Sequence, residues 1–218
     1  MTAGRDSTPA PQAIVAAGYD AIGDAYHAWS GARPSPVRAE MQALALATIP
    51  PHADVVELGS GNGLPLAAAL VAAGHRVTGY DVSPGQVARA RANVLGAAFQ
   101  IADIAALDLP PASADAVLAF YALTHVPREA HAALLRRIAT WLRPGGILLA
   151  SLGVEDDPGT VEEDYLGVPM YFSQFSARVN RRLVAASGLA IERADVLTEP
   201  ADREEARFLW VLARRPAG

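Results

Sequence analysis

Two spacings of apolar residues alternate along the middle of the chain. Short, nearly continuous apolar runs at residues 54–58, 75–80, 98–102, 116–120 and 147–151 predict strands buried on both faces. Between them, apolar positions return every three or four residues at 64–73, 83–95 and 129–142, which predicts helices. Punctuation agrees with these assignments. Gly74 and Gly96 close the first two helices, Pro65 falls in a first turn where its missing N–H costs nothing, and Ser83-Pro84-Gly85-Gln86 reads as a capping box. Regular strand–helix alternation predicts a mostly parallel sheet covered on both faces. A helix at 177–187 and a closing antiparallel pair of strands at 189–197 and 206–213 complete the pattern.

The flanks are less regular. Residues 1–12 are polar and proline-containing, as in a disordered tail. Ile14, Tyr19, Ile22, Tyr26 and Trp29 predict one or two short helices stopped by Gly31 and Pro34-Ser35-Pro36, and a further helix at 37–48 ends at Pro50-Pro51. Residues 153–175 form an insertion with acids first (Glu155, Asp156, Asp157, Glu162, Glu163, Asp164) and then Tyr165, Met170, Tyr171, Phe172 and Phe175. It reads equally as an acidic surface turn followed by core aromatics, or as a loop whose aromatic part lines a pocket. A length of 218 residues suits one domain, residues 13–218, rather than two.

Composition mainly excludes. The net charge is −5, and all 18 basic residues are arginines spread singly or in pairs, so no basic face for nucleic acid is visible. No cysteine is present, which removes disulfides, thiolate metal sites and cysteine nucleophiles. No apolar run approaches the roughly 18 residues of a membrane span, and no secretion signal precedes the domain. These features lead to the expectation of a cytoplasmic protein with no nucleic-acid or membrane partner.

Glu57-Leu58-Gly59-Ser60-Gly61-Asn62-Gly63 is the sharpest local signal. A strand ending in glycines and turning into a helix is expected to expose backbone N–H groups and to admit a flat or anionic ligand close to the backbone, although a tight turn with no ligand would use the same residues. Leu64 stands where a dinucleotide fingerprint needs its third glycine, and a phosphate loop needs a lysine the chain lacks. About 20 residues after the loop, Asp81 ends the second strand, where an acid can accept hydrogen bonds from both ribose hydroxyls or simply form a solvated turn. Asp103, in Gln100-Ile101-Ala102-Asp103-Ile104, can accept from an adenine amino group, with Val82 and Ile104 on either side of the ring, or can cap a helix.

Together, these segments resemble the class I S-adenosylmethionine-dependent methyltransferases, of the bacterial small-molecule kind. Residues 55–63 look like their (D/E)-x-G-x-G-x-G motif, residues 77–83 their second motif, residues 99–107 their third, and Leu142-Arg143-Pro144-Gly145-Gly146 their turn before the fifth strand. The similarity runs over roughly residues 13–216. It implies an α/β, Rossmann-like, seven-stranded mostly parallel sheet with helices on both faces and an antiparallel last strand. It also implies that Glu57 and the loop Gly59, Ser60, Gly61, Asn62 and Gly63 hold the methionine part of S-adenosylmethionine, while Asp81, Val82, Asp103, Ile104 and Phe120 hold its adenosine. Residues 13–50 then resemble a helical lid, with Tyr19 touching the cofactor and Tyr26 the acceptor. Residues 153–175 would form an acceptor-side insertion, with Tyr165, Met170, Tyr171 and Phe172 lining the pocket; core packing is an equal alternative for these aromatics.

Methyl transfer is an in-line displacement that mainly needs alignment and a dry pocket. If a base is required, His125 and Tyr121, in Phe120-Tyr121-Ala122-Leu123-Thr124-His125-Val126-Pro127 after the fourth strand, are the candidates; His125 before a proline turn could equally be structural, and His131 reads as a packing residue. The segment lacks the Asn/Asp-Pro-Pro-Tyr run of amino methyltransferases acting on DNA or protein glutamine. Metal-free transfer to an O, N or C atom of a small molecule, leaving S-adenosylhomocysteine, is therefore expected from a monomer or homodimer. Alternatives are a related fold that binds the cofactor for a non-methylating step such as cyclisation, and a non-catalytic binding domain.

Overall fold

The five apolar runs of the middle region all become strands of one sheet. The computed structural model describes residues 9–32, 34–199 and 205–217, with the side chain of Ser30 outside that description. Of the expected tail, residues 1–8 lie outside the described residues. Residues 11 and 12 already belong to α1 (Pro11–Gly31), a single long helix where one or two short ones were expected.

After α2 (Pro36–Thr48), strands and helices alternate as β1 (Asp54–Leu58), α3 (Leu66–Ala72), β2 (Arg76–Asp81), α4 (Pro84–Asn93), β3 (Ala98–Ile101) and β4 (Ala114–Ala119). A single 3-10 turn (Leu123–His125) leads to α5 (Arg128–Trp141) and β5 (Leu142–Leu152). Then come β6 (Asp157–Tyr165), β7 (Val168–Gln174), α6 (Ala177–Ala186), β8 (Ala190–Glu199) and β9 (Ala206–Arg214). The main sheet has seven strands in the order β3-β2-β1-β4-β5-β9-β8. All neighbours from β3 to β5 are parallel, and β9 runs antiparallel to both β5 and β8.

Strand alternation sorts the core into two halves. Val55, Val77, Phe99, Ala116, Leu118, Ile147 and Leu149 face α2, α3 and α4. Val56, Leu58, Tyr80, Val117, Ala119, Leu148 and Ala150 face α5 and α6, where Trp141 and Ile138 are fully buried. Glu57 lies between Val56 and Leu58 and so points to the α2–α4 side.

A third, smaller core was not expected. The insertion is a hairpin: β6 and β7 form their own antiparallel two-stranded sheet joined at Leu166-Gly167, both in the left-handed region (φ 54° and 90°), as a two-residue hairpin turn requires. Met170 and Tyr171 of the hairpin are buried against Val15 and Ile22 of α1. Gly18 permits this contact, since a Cβ there would lie 2.7 Å from Met170 Cε. Helix α1 and the hairpin together form a roof over the C-terminal edge of the sheet. No helix among the described residues is long and apolar enough to cross a membrane.

Candidate functional site

The glycine loop is a saddle more than a donor cradle. Gly59 and Ser60 N–H both donate to Tyr80 O (2.8 and 3.0 Å), Gly63 N–H to Ser60 O, Leu64 N–H to Asn62 Oδ1, and Gly61 N–H to Asp81 Oδ2 (2.8 Å). The expected array of free N–H groups is thus used internally, and α3 behind it is only seven residues long with Pro65 at its cap. What the glycines supply is close approach. Gly59 has φ 70°, and a Cβ there would collide with Ala122 Cβ.

Asp81, buried at 8% exposure, is fixed by Gly61 N–H on one oxygen and Ser83 N–H on the other (2.9 Å). Burial raises its pKa, while the Ser83 and Gly61 N–H bonds pull it back down. Ser83 also caps α4 through Gln86 N–H, as the capping pattern predicts. Asp103 accepts Ala105 N–H at 2.8 Å with one oxygen and still lines the cleft beside Val82, Ala102 and Ile104. No helix follows Asp103, so it caps a turn at residues 104–106 rather than a helix, and this contact leaves its other oxygen for a ligand.

Two clefts meet at the loop. One, with about 730 Å³ of empty space including its mouth, lies among Gln12, Tyr19, Asp81, Asp103, Phe120 and His125, within the size range of small-ligand sites. The other lies among Tyr26, Arg38, Glu57, Ser60, Asn62 and Tyr121. At this second end Glu57 Oε2 and Ser60 Oγ are buried with no hydrogen-bond partner. Burial, with the Asp81 carboxylate adding to it, pushes Glu57 up to about 8. An orphaned buried carboxyl and hydroxyl in a cleft lined also by an arginine fit an amino-acid group that carries both charges. Asn62 is less free: its amide donates to His27 Nδ1 and its Oδ1 serves Leu64 N–H.

The roof closes over the adenosine-like end. Tyr19 of α1 donates to His125 Nε2 at 2.9 Å. His125 Nδ1 lies 2.9 Å from Tyr171 O, and since a carbonyl only accepts, Nδ1 carries the proton and Nε2 the lone pair. Burial pushes His125 down to about 4, partly opposed by that carbonyl, so the ring is neutral at ordinary pH. Tyr19 hydrogen-bonds Tyr165 as well, and burial raises its own pKa well above the usual value. Its hydroxyl is therefore directed at His125 and Tyr165 rather than at the Glu57 end.

The remaining candidates divide. Tyr26 lines both clefts. Tyr165 and Phe172 meet edge-to-face at 5.4 Å, and Phe172 lies 4.7 Å from the His125 ring, forming the wall behind it. Met170 and Tyr171 belong to the roof core instead. Tyr121 has its hydroxyl on Glu199 (2.7 and 2.8 Å) and a pKa driven upward by burial and that carboxylate, so it presents no base to the cleft. His131 is buried with Nε2–H on Val126 O, a packing role. Sequence reasoning missed Arg38, Gln12 and Glu199, which carry no local motif. Among the described residues no group of three or more His, Cys, Asp or Glu is placed to hold a metal.

Residues 55–146 match the family model described as "Methyltransferase domain". Trans-aconitate 2-methyltransferase from Methylobacterium nodulans is 35% identical over 141 residues, covering 62% of this chain and 52% of that protein. The chain thus spans about half the length of that curated relative. The 1,6-didemethyltoxoflavin-N1-methyltransferase of Burkholderia thailandensis, solved with 1,6-didemethyltoxoflavin and S-adenosylhomocysteine bound, superposes with TM-score 0.72 at 22% identity, over 98% of this chain and 93% of that one. The [4+2]-cyclase SpnF superposes with TM-score 0.73 at 19% identity, over 97% and 98% of the two chains. At these identities the last two show a shared fold.

Proposed function

We propose that this chain, similar over residues 55–146 to a methyltransferase domain and 35% identical to a curated methyltransferase over 141 residues, is a class I S-adenosylmethionine-dependent methyltransferase and transfers a methyl group from S-adenosylmethionine to an O, N or C atom of a small molecule. The observation that carries the reading is the pairing, across one glycine saddle, of an acidic cleft at Asp81 and Asp103 with a second cleft that holds the orphaned Glu57 and Ser60 and is lined also by Arg38. Asp81 would hold the ribose, Asp103 with Val82 and Ile104 the adenine, and Glu57, Ser60 and Arg38 the amino-acid end. Bound there, S-adenosylmethionine supplies a sulfonium methyl group whose transfer removes one positive charge from the cleft. The reading includes a cytoplasmic monomer or homodimer acting on a free metabolite.

The chain's own contribution is alignment, exclusion of water and, for an O–H or N–H acceptor, a proton path. Tyr19 Oη would take the acceptor's proton as its own passes to His125 Nε2, while Tyr171 O holds the opposite ring nitrogen. A buried imidazolium is costly, and burial keeps His125 neutral at rest. The imidazolium would form only as a bound sulfonium lost its charge, which would leave the net charge of the cleft unchanged. Calorimetric titration with S-adenosylmethionine and S-adenosylhomocysteine tests the cofactor reading: micromolar binding that disappears in Asp81→Ala is expected. Absence of binding at millimolar ligand would sink it. Production of S-adenosylhomocysteine in a metabolite screen then separates methyl transfer from a non-methylating or purely binding role.

A further inference from the structure

Glu199, the last residue of β8, is 6% exposed and belongs to none of the motifs around the cleft. Its carboxylate accepts Tyr121 Oη–H at 2.7 and 2.8 Å and Ser35 Oγ–H at 2.7 Å. Two hydroxyls from segments far apart in sequence thus converge on one buried acid. Each leads to the Glu57 end of the cleft.

The first route runs through Tyr121. Its backbone is in the left-handed region at φ 60°, a conformation that is strained for a bulky residue and persists where the surroundings over-determine it. Ser151 Oγ accepts the Tyr121 N–H at 2.6 Å, Phe208 and Trp210 pack edge-on to the ring at 5.1 and 5.5 Å, and Glu199 takes the hydroxyl. This kink presents Phe120 to both clefts and lays Ala122 against Gly59, setting the floor under the loop. The second route runs through Ser35, whose Oγ caps α2 by accepting Arg38 N–H at 3.0 Å. Arg38 sits in the first turn of that helix and lines the same cleft as Glu57 and Ser60.

We infer that Glu199 is a positioning residue for the amino-acid end of the bound cofactor, tying the Tyr121 kink and the Arg38 helix into one geometry. The inference rests on the S-adenosylmethionine reading above. The selectivity comes through Ser35 and Arg38: Arg38 lines the cleft of Glu57 and Ser60 and not that of Asp81 and Asp103, and among the described residues neither Asp81 nor Asp103 is hydrogen-bonded to Glu199, Tyr121 or Ser35.

The test compares two ligands by calorimetry on the full chain. S-adenosylhomocysteine has the amino-acid end; 5′-methylthioadenosine keeps adenosine and thioether and lacks it. Glu199→Gln is expected to weaken S-adenosylhomocysteine about tenfold or more, as loss of hydrogen bonds to a buried charge implies, while methylthioadenosine changes less than about twofold. Tyr121→Phe, which keeps the ring packing and removes only the hydroxyl, should reproduce part of this selective loss if Glu199→Gln folds poorly. Parallel weakening of both ligands, or unchanged S-adenosylhomocysteine binding in both variants, would overturn the role of Glu199. A wild-type chain that binds neither ligand would instead overturn the cofactor reading on which it rests.

Discussion

Glu57 is held as an acid, because burial and the Asp81 charge lift it from an ordinary 4.5 to about 8. A carboxyl whose folded pKa lies above its unfolded one contributes stability that is complete below pH 4.5 and is lost as pH rises through about 8. Thermal melts of the ligand-free protein should therefore fall across that window. Glu57→Gln should flatten the fall and melt higher than wild type above pH 8; a variant with the same slope would contradict the shift. A ligand ammonium placed beside this group would favour its ionised form, so S-adenosylhomocysteine binding at pH 7 should release a proton from wild type and none from Glu57→Gln. The dependence of calorimetric enthalpy on buffer ionisation heat reads that release. Tyr19→Phe removes the donor to His125 Nε2 and is expected to lower stability by about 1 kcal/mol in denaturant titration. At this scale the sequence marked Glu57, Asp81, Asp103 and His125 because each sits at a fixed offset from a strand end. Glu199 and Arg38 escaped because their importance comes from partners distant in the chain, and nothing in Leu197-Thr198-Glu199 differs from an ordinary strand ending.

Among elements, the parallel strands and the helices between them were legible because apolar runs and caps agreed about each boundary. The hairpin was not. On β6 only Asp157, Val161 and Tyr165 are partly covered while the acids between them are exposed, so the period-2 signal of a strand is diluted into what reads as a charged loop. Leu166-Gly167 was the one local hint. Helix α1 was expected in pieces since its small and polar residues break the apolar period, yet partners outside the helix hold it straight. Asp20 accepts from Ser83 Oγ and Gly85 N–H at the start of α4, and Asp24 pairs with Arg89 at 2.8 Å. Asp20→Ala should loosen that junction without touching the sheet. Amide hydrogen exchange across residues 11–31 is expected to accelerate while the strands keep their protection; uniform acceleration would mean that α1 is part of the cooperative core.

For the molecule as a whole, the sheet is sealed by its own two apolar layers, and the roof adds a third that shares few residues with them. Replacing residues 157–174 with a short Gly-Ser linker should therefore leave a folded sheet by circular dichroism and a cooperative melt, while S-adenosylhomocysteine at about 100 times the wild-type Kd no longer supplies its roughly 2.7 kcal/mol of stabilisation. Loss of the melt itself would show that the roof is needed for folding. Met170 meeting Gly18 has a wider consequence. Two segments some 150 positions apart in sequence form one detachable surface above an unchanged cofactor floor, so a lineage acquiring a new acceptor would be expected to exchange both segments in concert. Grafting a relative's residues 9–31 together with its hairpin should carry over that relative's preference, where either graft alone would leave a mismatched seam.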